Sequence, residues 1–246
     1  MVNSAKQIVR QPAVSVRAAY LAIAAAFAAL VLLLSLHVLS PEYSPAWRMI
    51  SEYANGRHSF VLSLMFLAYG LTFVALAYAI RTQLSTRSGK IGLGFLVAAG
   101  LGAASAAQFD LNQATLHDLA GVVGVLCLPI GAVLISRDLA KRTEWTSAGK
   151  LLVWMSHATW ISILLFGVTF VLMVVTFLHA LGGLPNSAPA EVPAGVIALV
   201  GWTDRLLVLA AWAWAVVTAY EGIKVARSSQ ARSSGANRGI AGSTVH

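Results

Sequence analysis

The 246-residue sequence predicts an all-α integral membrane protein: a six-transmembrane-helix bundle with cytoplasmic N- and C-termini and a short outer-surface helix between helices 1 and 2. Three observations carry this. The first is composition: 58% of the residues are hydrophobic and 11% charged, and mean hydropathy is +0.76, whereas soluble domains are about one-quarter charged. The second is a set of six windows without Asp, Glu, Lys or Arg, at residues 18–41, 58–80, 91–109, 119–136, 151–190 and 206–220. About 20 apolar residues at 1.5 Å each cross a hydrocarbon core of about 30 Å, so the first five windows suffice or nearly so. The third is charge placement. Lys6, Arg10 and Arg17 precede helix 1; Arg81, Arg87 and Lys90 join helices 2 and 3; Arg137, Lys141, Arg142 and Lys150 join helices 4 and 5; Lys224, Arg227, Arg232 and Arg238 end the chain. In a six-span alternation all of these lie on one side, which the positive-inside rule makes cytoplasmic.

Helix 1 follows a basic segment and resembles a secretory signal, but its apolar run is long for a signal core and "HVLSPEY" offers no small-x-small cleavage site, so an uncleaved span is expected. Between helices 1 and 2, "SPAWRMISEYANG" pairs Ser44 as N-cap and Pro45 as first helical residue with an Asn55-Gly56 stop, predicting a short helix over 45–54. On it Trp47, Ile50 and Ala54 share one side, while Arg48, Ser51, Glu52 and Asn55 form a polar ridge. Arg48 and Glu52 are four apart, so an exposed ion pair is the simplest account of them.

Helix 3 is dense in Gly and Ala, with small residues four apart at Gly94/Ala98, Ala98/Gly102 and Ala99/Ala103, and is expected at the bundle centre. Helix 4 contains Pro129, which removes a backbone hydrogen bond and predicts a kink. Helix 5 is long enough to tilt or project. The sixth window is short; a helix from about Pro193 or Ala194 to Lys224 would span, and it would embed Asp204 and Arg205. A charge at that depth costs roughly 2.5–3.5 kcal/mol, so both side chains should face the interior with partners: each other, or Glu52 or Asp110 for Arg205. Residues 1–17 read as a cytoplasmic segment, 18–224 as the membrane domain, and the Ser/Gly/Arg-rich 225–246 as a disordered tail. No 3+3 repeat of the carrier type is evident.

Six of the nine acids and four of the six histidines fall at outer helix ends: Glu42, Glu52, Asp110, Asp118, Glu191 and Asp204, with His37, His58, His117 and His179. In the "FDLNQATLHDL" turn, Asp110 and His117 can serve as an acid/base pair or as two metal ligands, or the acids can simply cap the turn. No His-x-x-x-His pair marks a zinc hydrolase, no helix carries an interior lysine for a retinal Schiff base, and the histidines form no haem pattern, so neither metal nor cofactor is expected. The net charge of +8 follows from topology and contact with anionic lipid heads, and is no nucleic-acid signal. Cys127 is the single cysteine and can form no internal disulfide.

Over roughly residues 20–225 the chain resembles the prokaryotic six-span membrane proteins grouped as domain of unknown function 998, through "HVLSPEYSPAWRMISEYANG", Asp110 with His117, and "GWTDRL" with its Arg205. The resemblance implies a six-helix fold, with Arg48, Ser51, Glu52, Tyr53, Asp110, His117 and Arg205 at characteristic positions. It implies no reaction.

Two functions follow from the chemistry. In the first, an enzyme acts at the outer leaflet on a lipid or isoprenoid-like substrate. Glu52, Asp110 and His117 are its catalytic acids and bases, and Arg48, Ser51, Tyr53, Asp204 and Arg205 bind the substrate. In the second, the same residues form a ligand-binding or structural polar network in a non-catalytic transporter, sensor or assembly factor. Membrane lipids are the expected partners in both, and no pattern sets an oligomeric state.

Overall fold

The structure, a computed structural model, describes residues 13–108, 114–183, 189 and 191–242, the last ten as backbone only. The described chain is helical, without strands: α1 Val16–Leu39, α2 Ser59–Ile80, α3 Arg87–Ala106, α4 Ala114–Leu139, α5 Thr146–Leu181 and α6 Val200–Gly242. All six are long and apolar enough to cross a membrane. Consecutive helices pack against one another, α1 closes the circuit onto α6, and α2 also touches α6. Alternation therefore collects the C-termini of α1, α3 and α5 and the N-termini of α2, α4 and α6 at one end, the polar end, and the 81–86 and 140–145 connections at the other, the basic end.

The most buried spans are α2 and α6, each 56% buried over its most apolar window, against 44% for α3. The expectation of a central α3 is therefore corrected. Its small residues serve a pairwise contact instead: a Cβ on Gly102 would lie 2.7 Å from the Gly124 nitrogen and 2.9 Å from the Ala120 carbonyl, so α3 and α4 meet backbone to backbone. Of the residues singled out in α3, Gly94 faces open space. Helix α4 continues through Pro129 as one element.

Two boundaries differ from expectation. Helix α6 begins at Val200 rather than near Pro193, because 191–199 runs back along α5, where the Ile197 N–H donates to Thr176 Oγ1 at 3.1 Å. At its far end α6 extends to Gly242. The polar segment after α1 is also not one helix from Pro45. Residues 44–48 form a turn, closed by Arg48 N–H to Ser44 O at 3.0 Å, and only Ile50–Asn55 is helical, as a tight 3₁₀ helix. Ser44 thus accepts through its backbone and caps no helix.

At the basic end, buried Asp138 of α4 organises the α2–α3 turn. Its carboxylate accepts from Ser85 N–H at 2.9 Å, Thr86 N–H at 3.1 Å and the Ser85 hydroxyl at 3.2 Å, while Thr86 Oγ1 caps α3 by accepting from Gly89 N–H. Trp145 Nε1 donates to Gln83 Oε1, and Arg142 donates to the Gln83 carbonyl. These bonds satisfy the backbone groups that a helix end leaves open.

Candidate functional site

The polar end is built around Arg205, one turn into α6 and only 5% exposed. Its Nε donates to His37 Nε2 at the end of α1 at 2.9 Å, and its Nη1 donates to the Arg48 carbonyl at 2.8 Å and the Gly201 carbonyl at 2.9 Å. Nη2 donates to the Tyr53 hydroxyl at 3.3 Å. One guanidinium thus ties α1, the 44–48 turn, the 3₁₀ helix and its own helix start. A guanidinium is always a donor, so His37 Nε2 must be the bare nitrogen and the neutral imidazole carries its proton on Nδ1.

The neighbouring Asp204 does not pair with Arg205. Its Oδ2 accepts the Ile50 N–H at 2.7 Å and so caps the start of the 3₁₀ helix. Among the described residues Arg205 has no salt bridge, which corrects the expected pairing with Asp204 or Glu52, while Asp110 lies outside the described residues: Asp204 is satisfied by the 44–55 segment, and Arg205 by that segment together with His37 and Gly201.

Arg48 and Glu52 do pair, at 2.7 Å, but with side chains only 9% and 17% exposed, so the expected exposed ion pair is a largely buried one. Glu52 Oε1 also accepts the Met49 N–H at 2.9 Å. Arg48 Nη2 donates to the Pro189 carbonyl at 2.5 Å, and the guanidinium lies 4.0 Å over the Trp47 ring. Among the described residues its Nε is buried without a hydrogen-bond partner.

Close approach makes this possible. A Cβ on Gly201 would collide with the Pro45 carbonyl oxygen and lie 2.8 Å from both the Ala46 carbonyl carbon and the Arg48 carbonyl oxygen, so only glycine lets the turn rest on the start of α6. Tyr53, fully buried, packs edge-on to His37 with centroids 5.9 Å apart and against Tyr43 at 5.3 Å; its hydroxyl donates to the Tyr43 carbonyl at 3.3 Å. Burial pushes the Tyr53 hydroxyl above its ordinary pKa, and the Arg205 bond opposes part of that shift. Burial likewise raises Tyr43.

Of the residues expected from sequence, Arg48, Glu52, Tyr53, Asp204 and Arg205 form this single cluster. Ser51 is half-buried beside them on the 3₁₀ helix and takes no part in the network. His117 is buried near the start of α4, and Asp110 lies outside the described residues. Sequence reasoning missed His37 as the partner of Arg205 and Gly201 as the contact that admits the turn. The signals were present: a histidine inside a charge-free span, and a glycine four residues before Arg205. Asp138 was passed over because it stands among basic residues. Among the described residues no three His, Cys, Asp or Glu side chains converge as a metal site.

Residues 23–221 match the family described as "Protein of unknown function (DUF998)". No curated protein and no solved structure matches the chain.

Proposed function

The chain belongs to the DUF998 family, and on that premise we propose that it is a non-catalytic multi-pass protein of the cell membrane whose outer end is closed by a structural polar network. In this reading the termini are cytoplasmic, the cluster at Arg205 faces outward, and the 43–55 segment is a fixed cover. The protein works as a sensor, assembly factor or transporter component presenting that cover, with membrane lipids around it.

One observation supports this over acid/base catalysis. Arg205 makes four hydrogen bonds within the chain, both oxygens of Glu52 are engaged, and Asp204 caps a helix. The cluster also holds two arginines against two carboxylates, leaving no excess charge for an anionic head group. A catalyst acting through Glu52, Asp110 and His117 on a lipid or isoprenoid-like substrate would need Glu52 free to exchange a proton, and its two oxygens are held by Arg48 and the Met49 N–H. A ligand-binding role of the same end is favoured by one atom: Arg48 Nε, a buried donor without an acceptor among the described residues, can serve a small polar ligand entering beside Trp47.

The test compares Glu52→Gln, Asp204→Asn and His117→Ala for thermal stability in detergent and for the lipid composition of the membranes that carry them. The structural reading expects the Glu52 and Asp204 variants to melt earlier with unchanged lipids. An altered lipid class with unchanged melting would overturn it in favour of the enzyme.

A further inference from the structure

A second feature lies along the seam between α1 and α6, running toward the basic end. On α1, Arg17, Tyr20, Ile23, Phe27 and Leu30 follow one another at spacings of three and four; on α6, Leu209, Ala213, Val216, Tyr220 and Arg227 do so at four, three, four and seven. Those spacings keep each set on one helix face. The two helices pack together, and Arg227 Nη2 donates to the Tyr20 hydroxyl at 2.7 Å across the seam.

The seam has two chemically different parts. Deeper in the span, Ala26, Phe27, Leu30, Leu209, Trp212, Ala213 and Val216 line an open groove of about 210 Å³ whose surface is wholly apolar. Toward the basic end stand three exposed cations, Arg17, Lys224 and Arg227, against one carboxylate, Glu221, which Lys224 pairs at 2.9 Å. Because the Tyr20 oxygen accepts from Arg227, its own hydrogen is available to point outward, beside the remaining guanidinium donors.

We propose that this seam is a binding site for one anionic phospholipid of the leaflet at the basic end: the phosphate on Arg227 and Tyr20 with Arg17 and Lys224 adding charge, and one acyl chain in the groove. Charge complementarity selects an anionic head. The depth selects a lipid over a soluble anion. Val216 is eleven residues from Arg227, about 16 Å along a helix, which is about half of a ~30 Å hydrocarbon core and so the depth one leaflet's chains occupy.

The test titrates the full-length protein in mild detergent with dioleoyl phosphatidylglycerol or dioleoyl phosphatidylcholine and counts retained lipid by native mass spectrometry. Phosphatidylglycerol should be retained over phosphatidylcholine, and Arg17→Gln with Arg227→Gln should lower its retention by about tenfold. Filling the groove with Leu30→Trp, or from the other helix with Ala213→Phe, should lower retention while the charges remain, and excess inorganic phosphate should not displace the lipid. Equal retention of the two lipids, full retention in the double arginine variant, or full retention in both groove-filled variants would each overturn the site. All variants are compared at matched melting temperature, and the arginine pair, being exposed, keeps the test independent of folding.

Discussion

His37 and Arg205 stand 168 residues apart and meet at 2.9 Å, Arg205 Nε donating to His37 Nε2 inside the polar end of the bundle. A histidine in contact with a cation must be neutral, and here it serves as an acceptor in place of a carboxylate. His37→Gln offers an amide oxygen for the same bond and should retain more stability than His37→Leu, which leaves the Arg205 Nε–H unsatisfied. The two melting temperatures check the order; equal loss in both would remove the bond from the account.

Arg205→Leu removes the donor of four hydrogen bonds and leaves the His37, Arg48, Gly201 and Tyr53 acceptors buried. We expect a loss of roughly 2–4 kcal/mol in equilibrium unfolding. Arg205→Lys should recover little, because an ammonium cannot present the planar fork that reaches three segments at once.

Gly201→Ala drives a methyl group into the backbone of the 45–48 turn and should cost roughly 1–3 kcal/mol. Gly167→Ala on α5 is the control, since its Cβ meets nothing within 4 Å; there helix propensity alone acts, with a gain of up to about 1 kcal/mol. Opposite signs at the two glycines are the expected result.

The raised Tyr53 pKa makes an alkaline prediction. The folded state holds the phenol proton more tightly than the unfolded state, whose value is near 10.0, so the unfolded chain loses the proton first. Stability is fully present below pH 10 and falls as pH rises from there through the folded value. Melting curves from pH 8 to 11 should show this slope, and Tyr53→Phe should flatten it while lowering stability at neutral pH through the lost Arg205 bond.

At the basic end, Asp138→Ala leaves the Ser85 and Thr86 N–H groups without their acceptor and should cost about 2 kcal/mol. Asp138→Asn keeps an oxygen there and should cost less. Hydrogen exchange at the 84–86 turn locates the effect: faster exchange confined to it in the alanine variant is the expected pattern.

That Arg205 lies within the sixth helix was readable, because a helix long enough to span had to include it. Its partners were not, because His37, Tyr53 and the Arg48 carbonyl come from segments more than 150 residues away in sequence. Arg48 and Glu52 were paired correctly from their spacing, but their burial depends on the Pro189 segment and on Trp47, which the spacing does not encode.

By itself the sequence determined the class, the six spans and the set of polar residues that cannot face lipid, because hydrocarbon imposes a length and a cost on each residue separately. The tertiary structure decided which polar groups satisfy which. Asp204 went to a helix N-terminus instead of to Arg205, Arg205 went to a histidine and three oxygens, and a turn replaced half of the expected surface helix. Such choices depend on hydrogen-bond direction at about 3 Å. A Gly201 that lets two backbones touch settles them, and no periodicity of one segment can.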